Sequence, residues 1–185
     1  MSSDKKWAIV TGGSRGLGFE TAKGLIAAGI SVYIIGQDQQ RAQQSAATLG
    51  CEYRAVDVAD SKKFREVLTE ITEEASAKGL GVLDILVLSH GVMSEKMSKT
   101  LRTNDEEWRR TLSINLDSVF VAVNQLAPAM AEARAGRVII YSACLGRMSG
   151  PGTHGGLAPY RISKAGVNAF VKNLSHETGL GTRGF

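Results

Sequence analysis

Apolar residues along this chain fall into two alternating patterns. Short β-branched runs, WAIVT (residues 7–11) and SVYII (31–35), are each followed by a longer segment with helical spacing. Such runs predict strands. GLGFETAKGLIAAG predicts a helix closing at Gly29, and a polar helix is expected over about residues 38–49. CEYRAVDV predicts a third strand, LDILVLS a fourth and RVIIYS a fifth. Between the third and fourth, Phe64, Val67, Leu68, Ile71 and Ala75 recur at spacings of three, four and seven, an amphipathic helix with Ser61 as its expected cap.

Strands with unbroken apolar runs are buried on both faces, as in a parallel sheet. Their alternation with helices implies right-handed crossovers and a doubly wound α/β domain. Two later helices depart from a single apolar stripe. Across residues 108–130, Leu112, Leu116, Val119, Phe120, Val123, Leu126 and Met130 spread widely, and the helix after Tyr160 carries Ile162, Val167, Phe170, Val171 and Leu174. A helix apolar on two sides has more than one packing partner. One side suits the sheet; the other suits a second subunit or a further part of the fold.

Bulk properties narrow the function classes. At 185 residues with 43% hydrophobic and 22% charged positions, one soluble globular domain is expected. The opening MSSDKKW has no secretory apolar stretch, and no run is long enough to span a membrane. The net charge of +4 is spread through mixed segments such as RTNDEEWRR, so no nucleic-acid footprint is expected. Cys51 and Cys144 are too few and too far apart in sequence for a disulfide framework or a metal cluster, which favours a cytoplasmic setting and no metal site.

The chemistry begins after the first strand, where TGGSRGLG places Gly12, Gly16 and Gly18 at a helix start. Glycines there permit a tight turn and close backbone approach to a pyrophosphate, which the helix N-terminus attracts. The spacing is G-x-x-x-G-x-G, and the position after a first strand makes it a nucleotide-binding loop. The second strand ends in IIGQD. An acid at that turn would bind both ribose hydroxyls and repel a 2′-phosphate. Here Gly36 and Gln37 stand in the turn, Asp38 is expected to cap the next helix, and Arg15 offers a partner for a 2′-phosphate. NADP is therefore favoured over NAD.

Tyr160 and Lys164 are four residues apart, on one face of a helix. Lowering a phenol from a pKa of about 10 to about 7 takes roughly 4 kcal/mol, which a lysine and a cationic nicotinamide can jointly supply.

These four stretches, in order, resemble the short-chain dehydrogenase/reductase family in its single-domain branch, from about Lys6 to the end of the chain. TGGSRGLG matches its T-G-x-x-x-G-x-G, VDVAD its adenine segment, INLDSVF its asparagine segment and YRISKAGVNAF its tyrosine helix. The resemblance implies a Rossmann-like sheet and hydride transfer between nicotinamide and a carbonyl or secondary alcohol. It implies that Gly12, Ser14, Arg15, Gly16, Leu17, Gly18, Gln37, Asp57, Val58, Ser89, Gly91, Tyr160 and Lys164 contact the cofactor, with Asp57 on the adenine amino group. Tyr160 would be the general acid–base, Lys164 would lower its pKa, and Asn115 would help order a relay water. In the family the two broad helices pair across a two-fold axis, so a homodimer or homotetramer is implied.

Three departures qualify the resemblance. Leu88, Ser89, His90 and Gly91 replace the family's N-N-A-G; Gly91 is kept, and packing or solvent contact is the expected role of His90. Counting back from Gly146, the serine that polarises the substrate oxygen falls on Ala143, with Ser142 one residue earlier and the catalytic candidate only if the chain bends. Cys144 is expected to be a buried, inert thiol. Third, the chain stops at GTRGF, where the family continues into further strands and a substrate-covering segment. The fifth strand is then expected to be an open edge. The alternative to an active oxidoreductase is a nucleotide-binding or interaction protein that keeps the scaffold and catalyses poorly.

Overall fold

In the computed structural model, which describes residues 5–93, 99–149 and 156–178, five parallel strands form one sheet between two layers of helices. The elements are β1 (Trp7–Thr11), α1 (Gly16–Ala27), β2 (Ser31–Gly36), α2 (Gln39–Leu49), β3 (Glu52–Ala55), α3 (Ser61–Ala77) and β4 (Ile85–Leu88). Then come α4 (Asp105–Leu112), a π-helical segment (Ser113–Asp117), α5 (Ser118–Ala133), β5 (Arg137–Ile140) and α6 (Ala158–Thr178). The strand order is β3-β2-β1-β4-β5, with Trp7 opposite Ser31 on one side of β1 and Ala8 opposite Ile85 on the other.

Alternation along the strands sorts the core into two clusters. Trp7, Ile9, Tyr33, Ile35, Leu86 and Leu88 face α3, α5 and α6, meeting Phe64, Leu68, Met130 and Val167. Ala8, Val10, Val32, Ile34 and Val87 face α1 and α2, meeting Ala22 and Ala46. Continuous apolar strands are needed because both faces of the sheet are covered. β5 is different: Arg137 and Ile139 are exposed, and among the described residues it pairs with β4 alone, as an edge strand.

Four details differ from the sequence expectations. Ser61 does not cap α3; the Asp60 side chain does, accepting from the Lys63 N–H at 3.1 Å, and Ser61 is the first helical residue. β3 stops at Ala55, so Val56, Asp57 and Val58 lie beyond its end rather than in the ladder. β5 likewise stops at Ile140. The apolar stretch over residues 108–130 is interrupted by the π segment, whose five residues include Asn115. Asp38 does cap α2, accepting from Arg41 N–H at 2.7 Å. The GTRGF end lies outside the described residues.

Candidate active site

Strand order reverses between β1 and β4, and in such sheets ligands bind beyond the strand ends at that switch. Here the loop after β1 and the turn after β4 are packed together tightly. Gly12 has φ +66°, and a Cβ there would sit 2.9 Å from the His90 backbone nitrogen. A Cβ on Gly18 would collide with the Gly12 carbonyl oxygen and Ser89 Oγ. Ser89 Oγ itself donates to the Thr11 carbonyl at 2.7 Å. These contacts explain the glycines: the loop must lie flush against the 89–91 turn.

Beyond this junction opens a cleft of about 390 Å³. Gly12, Ser14, Arg15, Gly16, Leu17 and Gly18 form one wall. Gln37, Asp57 and Val58 form a second, and Ser89 and Gly91 a third. Every residue expected at a dinucleotide, apart from Tyr160 and Lys164, therefore lines one cavity. A Cβ at Gly16 would meet nothing within 4 Å, so the helix start opens into free space. The cleft thus joins glycine backbone to polar side chains, and Gly91 on its lining lies close to Lys164.

At the first end, Asp57 is held by three donors. Ala59 N–H reaches Oδ1 at 3.0 Å, Gln37 Nε2 reaches Oδ2 at 3.1 Å, and Arg110 Nη1 lies 3.5 Å from Oδ2. Gln37 thus faces Asp57. Arg41 and Asp38 also line the cleft.

At the other end stand Asn115 and Lys164, both buried. Asn115 Oδ1 accepts from Val92 N–H at 2.8 Å; its Nδ2 donates to the Val92 carbonyl at 2.9 Å and to Ser163 Oγ at 3.1 Å. Ser163 Oγ donates on to the Tyr160 carbonyl at 2.8 Å. Asn115 therefore braces the 89–92 turn against the second turn of α6. The π segment makes this possible, because its wider turn drives the asparagine inward from what would otherwise be regular helix.

Lys164 Nζ donates to the Tyr141 carbonyl at 2.9 Å, and burial pushes its pKa down. A Cβ on Gly91 would lie 3.5 Å from Lys164 Nζ and 3.4 Å from Asn115 Oδ1, so the cleft reaches both through Gly91. Burial, and secondly the Cys144 thiol, push the Tyr160 phenol up. Ser142 is exposed, and its hydroxyl donates to the Lys164 carbonyl at 3.4 Å. Ala143 follows in extended conformation and opens a short 3₁₀ turn, Cys144–Gly146. Cys144 is exposed, contrary to the buried thiol expected from sequence, because that turn carries it off the end of β5.

His90 has a packing role. Its Nδ1 lies 2.5 Å from Thr11 Oγ1 and its Nε2 2.6 Å from Ser118 Oγ, with Phe64 edge-on at 6.5 Å. Burial, reinforced by the Lys164 charge, lowers its pKa to about 4. Thr11 Oγ1 donates to the Val87 carbonyl at 3.3 Å and Ser118 Oγ to the Ile114 carbonyl at 2.6 Å, so each ring nitrogen faces a hydroxyl that has a backbone acceptor of its own. The ring thus links the end of β1 to the start of α5. Sequence reasoning missed Thr11, Ser118, Ser163, Arg41 and Arg110 at this site. Ser118 and Ser163 had a signal: each is a polar residue on an apolar helix face.

Among the described residues no group of three or more potential metal ligands occurs, and no helix is long and apolar enough to cross a membrane.

Comparison with known proteins matches this geometry. A family model described as short chain dehydrogenase matches residues 6–181. The 3-oxoacyl-acyl-carrier-protein reductase FabG of Escherichia coli (strain K12) is 34% identical over 179 residues, covering 96% of this chain and 69% of that protein. A solved single-substitution variant of actinorhodin polyketide ketoreductase with NADPH is 26% identical, with a TM-score of 0.82 over 96% of this chain and 67% of that one. A metagenomic short-chain oxidoreductase in complex with NADP is 25% identical, with a TM-score of 0.81 over 93% of this chain and 76% of that one. The chain belongs to the short-chain dehydrogenase family, and is an NAD(P)-dependent oxidoreductase that moves a hydride between nicotinamide and a carbonyl or secondary alcohol.

Proposed function

We propose that the protein reduces a carbonyl substrate with NADPH, using Tyr160 as proton donor and Lys164 as its electrostatic partner. The observation that carries this is Gly91, which lines the dinucleotide cleft and approaches both Lys164 Nζ and Asn115 Oδ1. The nicotinamide, when bound, supplies the hydride. Gly12, Gly16 and Gly18 with the start of α1 would hold the pyrophosphate, and Asp57 the adenine amino group. Ser14, Leu17, Val58 and Ser89 would complete the walls.

Tyr160 donates its proton to the substrate oxygen as the carbonyl is reduced. Left to its surroundings the phenol is pushed up, the wrong direction for an acid near neutrality. Lys164 would act in the opposite direction at the bound site, since a nearby ammonium favours the phenolate. The Asn115 amide bonds Val92 and Ser163, so its side chain braces the turn after β4 against α6. With Ala143 at the serine position, the substrate oxygen lacks one donor. Ser142 is the alternative donor, but its hydroxyl is turned to the Lys164 carbonyl.

NADPH is chosen over NADH because Gln37 supplies no negative charge at the ribose turn and Arg15 lies on the cleft wall. The reductases among the relatives support the reducing direction and a ketone-bearing substrate. A homodimer is the assembly proposed: α5 and α6 share a groove lined by Phe120, Val123, Ala127, Phe170 and Leu174, and Phe120 is about half exposed (51%). A solvent-facing aromatic beside further apolar side chains suits a self-complementary two-fold contact. The cytoplasm, where its thiols stay reduced, is its proposed setting.

The test is loss of NADPH absorbance with 3-oxoacyl thioesters and simple ketones, for the natural protein and for Tyr160→Phe. The variant keeps the ring shape but cannot pass a proton. Loss of nearly all turnover with NADPH affinity unchanged is expected. Equal turnover by both proteins would overturn the proposal.

A further inference from the structure

We infer that His90 is a positioning residue for the reaction: bonded to Thr11 and Ser118, it holds the 89–92 turn where Asn115 and Lys164 meet Gly91. The inference rests on the function proposed above. It adds a side chain that the family's N-N-A-G lacks, since an alanine stands there in place of His90.

On the β1 side the turn is gripped at Ser89, whose N–H and Oγ both donate to the Thr11 carbonyl, at 3.3 and 2.7 Å. Towards the π segment the grip is made by side chains at two alternate residues. Val92 exchanges both of its backbone groups with the Asn115 amide, and His90 Nε2 meets Ser118 Oγ at 2.6 Å. Gly91 lies between these two contacts. A Cβ there would come 3.4 Å from Asn115 Oδ1 and 3.5 Å from Lys164 Nζ, so a small displacement of the turn changes the spacing at both.

Ser118 carries the constraint into the helix. In a regular helix its N–H would bond the Ile114 carbonyl, four residues back. Here that N–H goes to Ser113, five back, and Ser118 Oγ takes the Ile114 carbonyl instead at 2.6 Å. The hydroxyl therefore closes the turn that brings Asn115 inward, and the imidazole holds the hydroxyl. Its other nitrogen, 2.5 Å from Thr11 Oγ1, ties the same ring to the residue before Gly12. One side chain thus registers the glycine loop, the turn after β4 and the π segment against each other. If His90 only filled space beside Phe64, its loss would cost stability and leave the folded site unaltered.

The experiment compares the natural protein with His90→Ala, His90→Gln, Ser118→Ala and, as a core truncation outside the cleft, Leu68→Ala. Each is assayed where circular dichroism shows it folded. The readouts are kcat and KM for NADPH-dependent ketone reduction, and hydrogen exchange of the Val92 amide by NMR. His90→Ala and Ser118→Ala should lower kcat about 10- to 100-fold with KM for NADPH little changed, because reacting groups displaced by about 1 Å lose that much. Both should speed Val92 exchange beyond the rate set by global unfolding. His90→Gln, which keeps one of the two bonds, should fall between, and Leu68→Ala should keep its kcat. Val92 exchange as slow in His90→Ala as in the natural protein overturns the inference, as does an unchanged kcat or an equal loss in Leu68→Ala. If the natural protein shows no turnover, the proposed function falls and Val92 exchange alone decides whether His90 positions the turn.

Discussion

Burial and the Lys164 charge keep His90 neutral in the fold, and this sets a pH dependence of stability. In the fold its ring lies between Thr11 and Ser118, near the Lys164 ammonium, and its pKa is held at about 4 against an ordinary 6.5. A folded-state pKa below the unfolded value means the unfolded chain binds the extra proton. The stabilisation is therefore whole above pH 6.5 and is lost as pH falls towards 4. At about 1.36 kcal/mol per unit, the shift amounts to roughly 3 kcal/mol in total, of which about 2 kcal/mol goes between pH 7 and pH 4.5. The perturbation is His90→Gln, which keeps polar atoms but cannot titrate. At pH 7 the variant should be less stable by about 1–3 kcal/mol, because Thr11 or Ser118 loses a well-placed partner. Carboxylates titrate alike in both proteins, so their contribution cancels in the comparison. Urea denaturation at pH 7, 5.5 and 4.5 should show the two stabilities converging as the solution is acidified. Parallel curves, with losses equal to within about 0.5 kcal/mol, would refute the reasoning.

Gly18→Ala should cost about 1–3 kcal/mol of stability and abolish dinucleotide titration, because its Cβ meets the Gly12 carbonyl and Ser89 Oγ; unchanged NADPH binding would count against the packing argument. Gln37→Asp should move the NADPH-to-NADH affinity ratio at least about tenfold towards NADH, through repulsion of the 2′-phosphate, as read by calorimetry. Ala143→Ser should raise the single-turnover rate at saturating NADPH, by up to about 100- to 1,000-fold, while Ser142→Ala should change it little; a large loss in Ser142→Ala would reverse the assignment.

The architecture was legible because its signals are local and repeated. Buried strands announce themselves by unbroken apolar runs, and α3 by its spacing of Phe64, Leu68 and Ile71. The cleft's glycines were legible for a different reason, since only a residue without Cβ tolerates the approach of Gly18 to Gly12 and Ser89. What the sequence hid depends on helix geometry or on contacts distant along the chain. Nothing in SINLD marks a π turn, yet without it Asn115 would point elsewhere and Ser163 would lose its donor. Arg41 reads as one more charge on a polar helix until the fold sets it in the lining of the same cleft as Arg15. Cys144 reads as apolar filler until the chain turns out of β5.

The serine question shows how a short segment can be fixed from both sides. Tyr141 gives its carbonyl to Lys164 Nζ, and Ser142 gives its hydroxyl to the carbonyl of the same lysine. Two successive residues after β5 are therefore stitched to α6. Gly146 adds a third constraint, because a Cβ there would come within 2.7 Å of the Lys164 carbonyl carbon. Between these anchors Ala143 is extended and Cys144 begins the turn, with no inserted residue and no bend to exchange the places of Ser142 and Ala143. Successive extended residues project to opposite sides, so a serine tied to α6 leaves the alanine on the other side. The segment is anchored to Lys164, and the proposed donor position, Ala143, carries only a methyl group. If Ala143 holds the serine position, as proposed, the geometry that holds the lysine is separable from the chemistry that polarises the substrate oxygen.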